Sequence, residues 1–139
     1  MKKLNLFFIL TVFSLLFVGC SKDDDIKNFE YDLNLLYGKW RITHVEQING
    51  SYLNVTSSVA ESVFKPTYST FYSDGTYSGS GEFGNGSGTF KAESKTIITY
   101  VDGQEYLRYD VLMLSESNAE LKMYEKGNAT SVKIKVAKQ

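Results

Sequence analysis

What most limits the fold of this chain is a repeated alternation of apolar and polar residues, broken by turn-forming pairs. In residues 130–136, Val132, Ile134 and Val136 alternate with Lys133 and Lys135, the pattern of a strand with one buried face. Asn49-Gly50, Asp74-Gly75, Asp102-Gly103 and Lys126-Gly127-Asn128 punctuate the chain, supplying the left-handed backbone that tight hairpins need. Strands are expected over residues 39–48, with a return through Tyr52, Leu53 and Val55, then over 68–72, 77–83, 88–92, 96–101, 106–114, 119–124 and 130–136. The less regular residues 57–66 are expected to wrap over one end. Ahead of the first strand, Phe29, Leu33, Leu36 and Tyr37 recur at helical spacing, with Asp32 or Asn34 as a cap and Gly38 as a stop. Sequential hairpins favour an antiparallel meander, and closing it removes exposed edges. The expected fold is therefore all-β: an antiparallel up-and-down barrel of about eight strands with a short N-terminal helix. An open or flattened half-barrel is the second choice.

The first residues obey different rules. Met1-Lys2-Lys3 precedes an apolar run over residues 4–18, interrupted only by Asn5, Thr11 and Ser14, the layout of a secretory signal. As a helix it reaches about 22 Å, short of the ~30 Å bilayer core. Gly19-Cys20 closes the run, and Cys20 is the single cysteine of the chain. Phe17-Val18-Gly19-Cys20 resembles the lipobox of bacterial lipoproteins, with Phe17 in place of the usual leucine. The resemblance implies cleavage before Cys20 and lipid on its sulfur; two or three acyl chains make a lasting anchor where one does not. Ser21-Lys22-Asp23-Asp24-Asp25 reads on its own as a solvated spacer. It also resembles the acidic export signal that carries lipoproteins of certain Gram-negative bacteria to the outer face of the outer membrane. Surface exposure is expected, with the periplasmic face as the alternative. The chain thus divides into a signal peptide (1–19), a lipidated acidic tether (20–29) and a barrel domain (30–139). Of 139 residues, removing the first 19 leaves 120, enough for one core without staples.

Loss of Lys2 and Lys3 leaves 13 of the 15 basic residues against 16 acidic ones. That balance gives no electrostatic case for nucleic acid. His44 is the only histidine; with Glu46 it would supply two metal ligands, so no metal site is expected. No cofactor is implied. Serines are abundant but none stands in a nucleophile context, and the carboxylates of Glu46, Glu61, Glu105, Asp110 and Glu120 show no pairing by spacing. The glycines of residues 79–84 match Gly-x-Gly-x-x-Gly, yet no helix pattern follows to receive a phosphate. The protein is expected not to be an enzyme.

Leu35-Leu36-Tyr37-Gly38-Lys39-Trp40 resembles the start of the lipocalin-like domains, whose first strand opens with Gly-x-Trp after a short helix. Residues 71–77 and Gly88-Thr89-Phe90 resemble the small lipocalin-like domains of secreted bacterial lipoproteins, and the likeness spans residues 33–137. It implies that Gly38 and Trp40 are fold signature, with Trp40 plugging the closed end. In larger lipocalins a basic residue of the last strand packs across that tryptophan; Lys133 or Lys135 is the expected counterpart. A candidate pocket follows from the aromatic strands: Tyr72, Tyr77, Tyr100, Arg108, Tyr109, Met113 and Tyr124. Alternation places Leu107, Tyr109, Val111 and Met113 on one face and Tyr106, Arg108, Asp110 and Leu112 on the other. The tyrosines either fill a core or line a cavity. Two functions are expected: binding of a small apolar ligand, or a ligand-free interaction module, an accessory subunit or inhibitor of a cell-envelope complex. An internal cavity favours the first, and a solid interior the second.

Overall fold

The computed structural model describes residues 28–82 and 84–139. The signal peptide, Cys20 and the acidic stretch Ser21, Lys22, Asp23, Asp24 and Asp25 lie outside the described residues.

Nine strands form one antiparallel sheet. They are β1 (Gly38–Glu46), β2 (Tyr52–Asn54), β3 (Tyr68–Phe71), β4 (Thr76–Ser80), β5 (Gly86–Glu93), β6 (Thr96–Val101), β7 (Gln104–Leu114), β8 (Asn118–Tyr124) and β9 (Ser131–Lys138). β3 pairs with β1, each strand from β3 to β8 pairs with the next, and β9 returns to β1, where Ile42 faces Val136 and Val45 faces Ile134. Eight strands therefore close into a barrel, as the alternation predicts. β2 is the ninth. It shares with β3 the second edge of β1: β3 pairs with residues 38–41 and β2 with residues 44–46.

Two short helices complete the described chain. In α1 (Leu33–Leu36), the Asp32 side chain accepts the Asn34 amide, the capping arrangement that short polar side chains favour. The irregular stretch after β2 contains α2 (Ser58–Glu61), capped by Ser57 and held to β1 by an Arg41–Glu61 ion pair.

The core is the inside of the barrel. Trp40, Ile42, Phe71, Tyr77, Phe90, Ile97, Leu107, Tyr109, Val111, Leu121, Ile134 and Val136 are all buried there. Phe71 organises one side: its ring meets those of Tyr77, Phe90 and Tyr109 at centroid distances of 5.4, 5.1 and 6.4 Å, spacings at which tilted aromatic pairs attract.

Three irregularities interrupt the alternation. Ile42 pairs with Val136 but His44 with Lys135, so Thr43 is an extra residue in β1. Val111 pairs with Leu121 but Met113 with Glu120, so Leu112 is extra in β7. Ile98 pairs with Arg108 but Tyr100 with Glu105, leaving Tyr106 and Leu107 opposite Thr99. Such bulges re-aim every residue beyond them.

Candidate functional site

One end of the barrel is closed by the N-terminal segment. Phe29, Tyr31, Leu33 and Leu36 pack against the core, while the Glu30 amide donates to the Ser94 carbonyl at 2.7 Å and the Tyr31 hydroxyl to Val111 at 3.2 Å. Gly38 opens β1 at φ +129°, a conformation suited to glycine and strained for other residues. Two residues on, the buried Trp40 indole N–H donates to the Leu36 carbonyl at 2.7 Å. Lys138 crosses the indole face at 4.9 Å and donates to the Leu35 carbonyl at 2.7 Å. Neither Lys133 nor Lys135 takes that place. Both point outward, to Glu46 at 4.0 Å and Glu120 at 3.8 Å. The missed signal was parity: Lys138 continues the inward series Val132, Ile134, Val136, whereas Lys133 and Lys135 belong to the other face.

Above this plug, among the described residues, an interior cavity of about 20 Å³ is lined by Leu36, Trp40, Ser69, Tyr109, Leu114 and Val136 among others. A water needs roughly 10–15 Å³ and a drug-sized ligand roughly 300–1,000 Å³. The space is water-sized.

The candidate pocket residues do not form one group. Only Tyr77 and Tyr109 enter the barrel, at 2% and 4% exposure. Tyr72 is exposed at the β3–β4 turn. Tyr100 lies on the outside beneath Lys91, whose ammonium is 5.7 Å from the ring centroid. Arg108 and Tyr124 also face outward; Arg108 binds Glu105 at 2.7 Å, and the Tyr124 hydroxyl donates to Asp110 at 3.0 Å. Met113, placed by strict alternation beside Tyr109 and Val111, is turned out by the Leu112 bulge. Tyr106 moves the opposite way. The bulge beside Thr99 packs it against the core, where its hydroxyl accepts the Asn85 amide at 3.0 Å.

The buried tyrosines have a distinct electrostatic character. Desolvation raises the phenol of Tyr77 and lifts that of Tyr109 well above the usual tyrosine range, because a phenolate loses its hydration inside the barrel. Tyr109 and Ser69 lie close enough to temper the Tyr77 shift, and Ser69 that of Tyr109, but none of the described residues reaches the Tyr77 hydroxyl with hydrogen-bond geometry. On the outer network, the Arg108 guanidinium beside Glu105 holds that carboxyl below its usual range.

Two bulges also shape the outside. They turn His44 and Met113 to flank the Glu120–Lys135 pair, forming a surface groove of about 240 Å³ with Thr43 and Asn118. His44 Nδ1 lies 2.9 Å from the Thr43 hydroxyl, which donates to the Lys135 carbonyl at 3.1 Å. Among the described residues, no three His, Cys, Asp or Glu side chains gather as a metal site. Comparison with protein-family models and with curated proteins finds no match to this chain.

Proposed function

We propose that this protein is a membrane-tethered, non-enzymatic lipocalin-like barrel that works through its outer surface, as an interaction module of a cell-envelope complex. The observation that carries this reading is the small interior cavity: among the described residues it holds about 20 Å³, far below what an apolar ligand occupies. The outside, by contrast, has apolar side chains to offer. Ile48, Leu53, Val59 and Val63 are exposed on and after the β1–β2 hairpin, and Leu112 and Met113 on β7.

Binding of a small apolar ligand is the second reading. Its support is the wall of the residual cavity, apolar except for Ser69 and Tyr109, together with the unpartnered Tyr77 hydroxyl. Native mass spectrometry of protein released from its own membranes separates the two. The module reading expects the mass of the acylated chain alone or with a reproducible protein partner. A co-purifying small molecule, lost when Leu121 is enlarged to Trp, would establish the ligand instead.

The tether rests on residues 1–25. Lipid on Cys20 anchors the chain, and Asp23, Asp24 and Asp25 direct it to the outer face of the outer membrane. Segment 29–36 closes the barrel at the end shared with Ser94 and Ser117, and the β1–β2 hairpin lies at the other end. Cys20→Ala is expected to abolish acyl labelling, and protease added to whole cells to cut the domain. Cleavage and labelling unchanged by Cys20→Ala would overturn the anchor. A domain still protected from external protease, whatever replaces Asp23–Asp25, would overturn surface display.

A further inference from the structure

Among the described residues, the barrel abolishes every strand edge but one. β3 to β9 each have neighbours on both sides, and β1 has β9 on one side and β3 with β2 on the other. Among the described residues β2 pairs only with β1, so none of them covers its second edge as a strand.

The hydrogen-bond phase fixes what that edge presents. The Gln47 amide donates to the Ser51 carbonyl at 2.8 Å, and the Val55 amide to the Thr43 carbonyl at 2.9 Å. In an antiparallel ladder such bonds recur at every second residue, so Leu53, opposite Val45, directs its amide and carbonyl to β1. Tyr52 and Asn54 direct theirs outward. The open edge thus offers two donors and two acceptors, symmetric about Leu53.

We propose that this edge pairs with the same edge of a second copy of the chain, in a two-fold dimer centred on Leu53. An antiparallel pairing with Tyr52 opposite the partner's Asn54, and the converse, satisfies all four outward groups at once. Both contacts fall on hydrogen-bonded positions, and Leu53 meets its own symmetry mate at the non-hydrogen-bonded position between them, where side chains lie closest. An isologous interface requires such self-complementarity.

The sequence around the edge supports a second copy as occupant. Residues 47–60 contain no Asp, Glu, Lys or Arg, so nothing there repels an identical segment. Exposed edges are ordinarily blunted by short length, charge, proline or a bulge; β2 is short, at three residues, but carries no charge or proline. Leu53 is 39% exposed and shares the face of Val45, which packs against the core; pairing would extend that apolar face across the axis. Tyr52 lies on the opposite face, held by Lys135 at 4.6 Å, and stays clear of the contact. The proposal depends neither on the anchor nor on the small interior cavity.

Leu53→Cys tests it directly, because the sequence has no other cysteine than Cys20. In the full protein under mild oxidant, Leu53→Cys is expected to give about tenfold more disulfide-linked dimer than Glu93→Cys, since only the former brings two Cβ atoms within bonding range. Glu93 is an exposed β5 position. Leu53→Lys, which sets two ammonium groups against each other, is expected to turn a sedimenting dimer into monomer while leaving the circular dichroism unchanged. Equal cross-linking from positions 53 and 93 overturns the proposal. So does a wild-type protein that sediments as monomer at every concentration, or a dimer that survives Leu53→Lys.

Discussion

Tyr77 shows how one side chain carries both the cost and the logic of a packed barrel. Its ring packs on Phe71, but its hydroxyl is buried without a partner, a situation costing on the order of 1–3 kcal/mol. Tyr77→Phe is therefore expected to stabilise the protein by about 1 kcal/mol, read as a higher urea midpoint at constant slope. Gly79 accommodates the same hydroxyl, since a Cβ there would collide with it. Gly79→Ala should destabilise, and Tyr77→Phe should relieve part of that loss in the double variant, a coupling expected of touching groups. The two buried phenols also set a pH limit. Their folded values lie above the ordinary tyrosine value, so above pH ~10 the unfolded chain releases protons that the folded chain retains. The contribution of these two phenols is constant below that pH. It then falls by up to about 1.4 kcal/mol per pH unit for each tyrosine until the folded value is passed. Urea titrations from pH 8 to 11 should show this fall, reduced in Tyr77→Phe. A flat profile would contradict it.

At the scale of elements, the period-two pattern and the turn pairs locate the strands, because burial of one face fixes alternation. They do not reveal bulges. Trp40, Ile42, His44 and Glu46 share one parity, yet the extra Thr43 turns His44 and Glu46 out; Leu112 does the same to Met113. A bulge is set by how neighbouring strands stagger to close the barrel, and no residue type in β1 or β7 announces it. The candidate pocket dispersed for this reason, and because a strand tyrosine serves equally on either face. Thr99 gives the third bulge a test. Its buried hydroxyl donates to the Leu107 carbonyl at 2.8 Å and accepts the Leu107 amide at 3.0 Å, standing in for the ladder bonds that the bulge removes. Thr99→Val keeps the shape but leaves those groups unpaired, at an expected cost of about 2 kcal/mol. Thr99→Ser retains the hydroxyl and should lose less than half of that. A loss in Thr99→Ser as large as that in Thr99→Val would mean that the methyl counts as much as the hydroxyl.

For the whole molecule, closure is what the local pattern implies without stating. Sequential hairpins make a meander, and only the β1–β9 pairing decides between barrel and open sheet. Lys138 contributes at that seam: the strand that pairs with β1 also lays its last lysine over Trp40. Closure divides the molecule into two classes of backbone. Strands paired on both edges have their amides locked in the sheet, whereas β2 holds one edge and is followed by residues 56–66, which are largely exposed. Protection from hydrogen exchange reflects the free energy needed to open each bond. Peptides covering residues 47–66 are thus expected to exchange within seconds in dilute protein, while those covering 107–111 and 132–136 stay protected for hours, because their opening approaches global unfolding. The outward amides of Tyr52 and Asn54 have no bond to break, so they should be among the fastest in the sheet. Raising the protein concentration should slow these two and leave 56–66 fast, since edge pairing covers only β2. Slowing across the whole of 47–66 would indicate a general tightening of the fold rather than a contact at the edge.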